Sequence, residues 1–296
     1  MTFDLQSYLE YKRASINAAL DAALPPAGEP PEKLHEAMRY SVMAPGKRLR
    51  PTLVIAAAEA VGGLAANVMP AACALECIHV FSLIHDDLPC MDNDDFRRGL
   101  PTSHKVYGEA LALLAGDALL TLAFQLVAEN AHSVGPERLL AVILLMAEAT
   151  GTRGMVGGQV VDMESQGVSV SLGRLQYMHS RKTGALMTAS VEAGALLAGA
   201  SAGELSLLRA YGSHIGLAFQ IADDILDITG NEALIGKHVG SDQERDKATY
   251  PRLLGLDASR QAARVEVDAA LDCLRTFGAC AEPLRAVARY IVERDA

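Results

Sequence analysis

The stretch Cys77–Gly99, CIHVFSLIHDDLPCMDNDDFRRG, decides how the rest of the chain is read. It starts as an apolar run, broken by His79 and Ser82, with the look of a buried helix. Five aspartates then fall within ten residues, and Arg97 and Arg98 follow at once. Asp86 and Asp92 are six apart, a spacing that shares no face of a straight helix. Pro89 resolves this, because proline is poorly tolerated in a helix interior. The helix is therefore expected to break at LPC, letting Asp92 swing back beside Asp86.

A second acid set, Asp223, Asp224 and Asp227, lies in FQIADDILDITG. Asp223 and Asp227 are four apart and project from one side of a helix, where like charges repel. Phe219, Ile221, Leu226 and Ile228 surround them with apolar surface, which adds a desolvation cost. One acid cluster alone is more often a solvated face. Two clusters, each following an apolar helix, point to a divalent cation. The candidate ligands are all oxygens, with no His/Cys set at zinc spacing, which suits Mg²⁺, with Mn²⁺ as the alternative. Mg²⁺ usually completes its shell with water and substrate phosphate, so the clusters imply a phosphorylated ligand.

Basic groups recur at the ends of apolar segments. APGKRLRP holds Lys47, Arg48 and Arg50; SRKTG holds Arg181, Lys182 and Thr183; GKHVGSDQERDKATYP holds Lys237 and Lys247. Arg offers a planar fork to phosphate oxygens and Lys a compact charge. Each alone is weak evidence. Together they suggest a phosphate-lined mouth above an oily interior.

The wider composition bounds the fold. Of the 296 residues half are hydrophobic, the mean hydropathy is +0.18 and Trp is absent. Abundant Ala and Leu favour helix over strand. Leu5, Leu9, Ile16, Leu20 and Leu24 mark an opening amphipathic helix, and no long alternating pattern follows. The expectation is a single all-α domain over residues 1–296 with very apolar central helices. A net charge of −10 argues against nucleic acid as a partner. Five cysteines without a CxxC pair, and no leader-like N-terminus, read as free thiols in the cytoplasm. The nearly uncharged run 110–128 is long enough to span a bilayer, but Asp117 near its middle favours a buried core helix and no stable membrane insertion.

At this point the residues resemble a known family. GKRLRP, SLIHDDLPCMDNDDFRRGLPTSH, GGQVVDM, RKTGALM, FQIADDILDITG, GKHVGSD and KATYPRLLGL resemble, in order and nearly end to end, the trans-isoprenyl diphosphate synthases, in particular bacterial-type farnesyl diphosphate synthases. The resemblance implies the isoprenoid synthase fold, a bundle of mostly antiparallel helices around a central apolar cavity, and a homodimer. It implies a prenyltransferase (geranyltranstransferase) that joins isopentenyl diphosphate to an allylic diphosphate. Asp86, Asp92 and, less directly, Asp87, with Asp223, Asp224 and Asp227, would hold several Mg²⁺ ions on the allylic diphosphate. Arg97, Lys182, Lys237 and Lys247 would contact that diphosphate. Lys47, Arg50, His79 and Arg98 would form the isopentenyl diphosphate site. Thr183, Gln220 and the carbonyl beside Lys182 would lie near the developing allylic cation. His79 is named by the resemblance alone, since a lone His on an apolar helix is usually a core residue.

Product length is the finer question. Ser82 lies one turn before Asp86, about 6 Å back at ~1.5 Å per residue, and Phe81 is its neighbour. The family limits chain length by bulk at these two positions, and an aromatic beside a small residue implies a fifteen-carbon product. Geranylgeranyl synthases share DDLPCMDNDD, which keeps a twenty-carbon product as the alternative, with geranyl diphosphate a shorter one. A non-catalytic regulatory subunit is the rival from another class; both aspartate sets are whole, which argues against it. His179 and His238 stand beside the shared lysines as departures, and the last residue is Ala296, where a terminal basic residue is common in the family resembled.

Overall fold

A computed structural model describes residues 3–230 and 247–293. Lys237 and His238 lie outside the described residues. The described chain is all-α apart from one short hairpin.

Helix α1 (Leu5–Ala23) starts at Asp4, whose side chain accepts from the Ser7 amide, and buries Ile16 and Leu20. Helices α2 (Glu32–Met43) and α3 (Leu49–Ala60) lead into α4 (Ala65–Asp86). Helix α4 is buried nearly all round, from Val68 to Ile84. A helix apolar on every side belongs at the centre of a bundle.

Past α4 come a two-stranded antiparallel pair, β1 (Phe96–Arg97) and β2 (Leu100–Pro101), then α5 (Ser103–Tyr107) and α6 (Glu109–Glu129). Arg98 and Gly99 form the hairpin turn with positive φ of 54° and 78°. Positive φ at both turn positions matches the twist of paired strands. Such a short pair leaves no alternation to read in the sequence.

Helix α6 departs from expectation. It buries Ala112, Ala115, Gly116, Leu119, Ala123 and Val127 on one side only, while Leu113 and Leu114 stand exposed. Helix α7 (Pro136–Thr150) likewise exposes Leu140 and Leu144. By length and composition alone α4, α6 and the stretch 136–165 are apolar enough to cross a membrane. Two of them carry buried acids paired with cations elsewhere in the chain, Glu76 with Arg48 and Asp162 with Lys182.

The remaining helices complete the walls: α8 (Met155–Ser165), α9 (Leu172–His179) and α10 (Ala185–Ala198), with a single π turn over Ser180–Gly184 before α10. Helix α11 (Ala202–Thr229) begins at a capping box in which Ser201 accepts from the Glu204 amide and Glu204 accepts from the Ser201 amide. Its length carries the second acid set to the same end of the bundle as Asp86. Helices α12 (Tyr250–Leu254), α13 (Leu256–Cys273) and α14 (Glu282–Glu293) close the described chain.

Candidate active site

Helix α4 ends at Asp86, before Pro89, and the chain doubles back so that the Asp92 amide donates to the Asp86 carbonyl at 2.8 Å. Asp86 and Asp92 therefore sit together. Burial raises the Asp86 carboxyl, with Lys182 opposing and Asp92 adding. Asp87 turns the other way and receives the Arg97 fork, with Nε donating at 2.8 and 2.9 Å to its two oxygens. Lys247, far along the sequence, places Nζ 3.8 Å from Asp92 Oδ2.

A cationic pocket lies alongside. Arg48 adopts a left-handed backbone with φ of 51° and opens α3. Its guanidinium leaves the basic turn to pair with Glu76 at 2.8 Å in the interior. Arg50 is driven into the protein, and burial lowers it to about 10, with Glu76 and Asp223 opposing and Arg98 adding. Among the described residues its buried Nε has no hydrogen-bond partner. Arg98 Nη2 comes within 3.4 Å of His79 Nε2, so that nitrogen accepts and His79 is neutral. Burial, then Arg50 and Arg98, push His79 well below its usual range. Lys47 lines a cavity of about 640 Å³ with Leu5, Leu9, Phe219 and Tyr290, and the neighbouring Gly46 abuts the Arg98 guanidinium.

The third wall is built from α8, the π turn and α11. Lys182 donates to Asp162 at 2.6 Å. The approach of α8 to the π turn depends on Gly158, where a Cβ would fall 2.2 Å from the Lys182 amide nitrogen. Thr183 donates to Gln220 Oε1 at 2.8 Å, and Gln220 Nε2 donates to Asp224 Oδ1 at 3.1 Å. Asp224 Oδ2 accepts from the Tyr250 amide at 2.9 Å. Asp224 is thus buried and bonded to Gln220 and the Tyr250 amide, and Asp223 and Asp227 beside it are half-buried.

Asp86, Asp92, Lys182 and Lys247 are brought together, as are Arg50, His79 and Arg98. Phe81 is buried on α4 below Asp86, and Ser82 donates to the His79 carbonyl at 2.7 Å. Among the described residues no three His, Cys, Asp or Glu side chains close into a ready-made cation cage. Two residues escaped the sequence reading: Asp162, which sat unread inside GGQVVDM, and Tyr250, whose amide holds Asp224.

This geometry has known counterparts. The polyprenyl synthetase family profile matches residues 31–282. The chain belongs to the polyprenyl synthetase family. Within it, the chain is 50 % identical over 300 residues to the heterodimeric geranylgeranyl pyrophosphate synthase large subunit 1 of Arabidopsis thaliana, covering 99 % of this chain and 80 % of that one. It is 48 % identical to a dimethylallyltranstransferase of Fischerella ambigua, covering 99 % and 84 %. The crystal structure of an FPP/GFPP synthase from Zymomonas mobilis superposes with a TM-score of 0.87 at 42 % identity, covering 97 % of this chain and 98 % of that one. As a polyprenyl synthetase the protein is a trans-prenyltransferase with the all-α isoprenoid synthase fold.

Proposed function

We propose that this prenyltransferase condenses isopentenyl diphosphate with dimethylallyl and then geranyl diphosphate to give (2E,6E)-farnesyl diphosphate, with Mg²⁺. The observation that carries the fifteen-carbon reading is Phe81, a buried aromatic on α4 one turn below the acid set. It would act as the floor of the chain cavity. The names of the curated relatives favour a second reading, a twenty-carbon geranylgeranyl product.

The donor chemistry fits the metal. Asp86 is a half-buried carboxylate whose carboxyl burial raises and Lys182 lowers, its neighbour is Asp92, and all the candidate ligands are hard oxygens. Asp86, Asp92, Asp223 and Asp227 would hold the ions together with water and substrate phosphate. When bound, Mg²⁺ neutralises charge growing on the leaving diphosphate. Asp87 and Asp224 are read instead as supports, one for Arg97 and one for Gln220. Lys182, Lys247 and Arg97 would take the remaining diphosphate oxygens. Arg50, with its orphan Nε, would hold isopentenyl diphosphate together with Lys47, Arg98 and neutral His79. The Thr183 hydroxyl donates to Gln220, leaving its lone pairs for the allylic cation. The double bond of isopentenyl diphosphate then attacks, and a proton leaves to the released pyrophosphate.

We place the enzyme in the cytoplasm as a homodimer, and the exposed Leu113, Leu114, Leu140 and Leu144 support a covered face on α6 and α7. The deciding experiment is a product assay with isopentenyl and dimethylallyl diphosphates and Mg²⁺, against a chelated control, with the prenyl products resolved by mass. A metal-dependent fifteen-carbon product is expected. A twenty-carbon product would replace it with the second reading, and no product would overturn the synthase.

A further inference from the structure

Phe81 does not stand alone. Its ring meets the imidazole of His85, one turn further along α4, with centroids 4.7 Å apart and planes at 74°. On the far side His85 Nε2 lies 3.1 Å from the Leu113 carbonyl of α6. A carbonyl only accepts, so Nε2 carries the proton. The Asp117 carboxylate stands 3.8 Å from the same nitrogen. The imidazole can sit so close to α6 because Gly116 has no side chain: a Cβ there would fall 2.3 Å from Nε2. One ring therefore bridges the aromatic on α4 and the backbone of α6.

We propose that His85, seated on Gly116, is a positioning residue for product length: it props Phe81 and thereby fixes where the chain cavity ends. This rests on Phe81 being the floor, as argued above. An aromatic side chain on a helix has two accessible χ1 wells. The edge contact with His85 biases Phe81 toward one of them. Remove the imidazole and the Phe81 ring can lean into the space it vacates, which deepens the cavity. Gly116 acts only through His85, since it is the imidazole that occupies its missing side chain's place.

The test is the ratio of twenty- to fifteen-carbon product made from isopentenyl and dimethylallyl diphosphates with Mg²⁺. A ratio reads only folded, active molecules, so partial loss of enzyme does not move it. His85→Ala is expected to raise the ratio about tenfold, the discrimination of a methylene-sized change in an apolar pocket. Gly116→Ala is expected to move the ratio in the wild-type background, because the new methyl unseats the imidazole. In the His85→Ala background it should add nothing, because the methyl then meets no ring. Phe81→Ala separates the two levels. If Phe81→Ala lengthens the product while His85→Ala leaves the wild-type ratio, the floor stands and the prop is overturned. If Phe81→Ala changes nothing, the floor reading fails and the prop fails with it. A Gly116→Ala effect that persists without His85 would likewise overturn the coupling.

Discussion

Lys182 Nζ lies 2.6 Å from Asp162 Oδ2, across the gap between the π turn and α8, and Asp162 is almost wholly buried. Burial would lower the lysine, but Asp162 and then Asp86 outweigh it and hold Lys182 above its usual range. Asp162 is held below its own, burial notwithstanding, by Lys182 and Lys247. The pair's contribution is therefore present above the ordinary carboxylate pKa and is lost as pH falls through the depressed Asp162 value. At the other end it is lost only as pH rises through the raised Lys182 value. Asp162→Asn keeps the shape and removes the charge that aims Lys182. A charge-assisted hydrogen bond of about 2–3 kcal/mol corresponds to roughly a hundredfold loss in kcat/KM for the allylic substrate. The KM for isopentenyl diphosphate should hold. A parallel rise in both KM values would show that Asp162 supports the whole fold rather than Lys182.

Asp224 gives a different signature. An ionised carboxylate only accepts, so Gln220 must present Nε2 to it and Oε1 to Thr183. Asparagine at this position can also donate, which frees the Gln220 amide to flip and turns the Thr183 hydroxyl away. Asp224→Asn is expected to cut kcat on the order of tenfold, the worth of one misdirected hydrogen bond. The Mg²⁺ concentration for half-maximal rate should not change. A large rise in that concentration would make Asp224 a ligand after all.

Much of this site was legible in the sequence because its signals are local. Pro89 foretold the chain reversal that sets Asp92 on Asp86, and the four-residue spacing of Asp223 and Asp227 placed them on one side of α11. Arg48 was not legible as a structural group. It stands between Lys47 and Arg50 in the same basic turn, and only its left-handed backbone and the distant Glu76 separate it from them. Asp162 and Tyr250 were missed for the same reason: each acts on a partner many residues away. Helix α6, expected as a buried core helix, is covered on one side only, because composition reports how apolar a helix is and not how many neighbours cover it.

His179 supplies an acid-side prediction. It is buried, stacks on Tyr250 and lies 3.8 Å from Asp224, and burial lowers it to about 3. The unfolded chain therefore takes up a proton near the ordinary histidine pKa that the folded one refuses. Stability is full above that value and is lost as pH falls, at about 1.4 kcal/mol per unit from this one group. Between pH 7 and pH 5 the wild type should lose about 2 kcal/mol through His179, measured by urea unfolding at each pH. His179→Gln should lose correspondingly less over the same interval. Equal losses in the two proteins would mean that His179 accepts its proton while folded.

The Arg48–Glu76 pair tests the fold beneath the site. Every arm of the guanidinium is used: Nη1 donates to Glu76 at 2.8 Å, Nη2 to the Val42 carbonyl at 2.7 Å and Nε to Asn17 at 2.8 Å. Both side chains are essentially inaccessible to water. Glu76→Ala therefore leaves a buried cation without its counter-charge, at a cost of about 3–5 kcal/mol. For a chain of this size that is a fall in Tm on the order of 10 °C, read by thermal denaturation. Replacing both partners with apolar residues, as in Arg48→Met with Glu76→Leu, should recover most of the loss, because no charge is then left buried. If the single variant melts with the wild type, water reaches Arg48 and the pair is not sealed. If the double variant is no better than the single, the cost lies in the Asn17 and Val42 bonds that anchor the left-handed turn before Arg50.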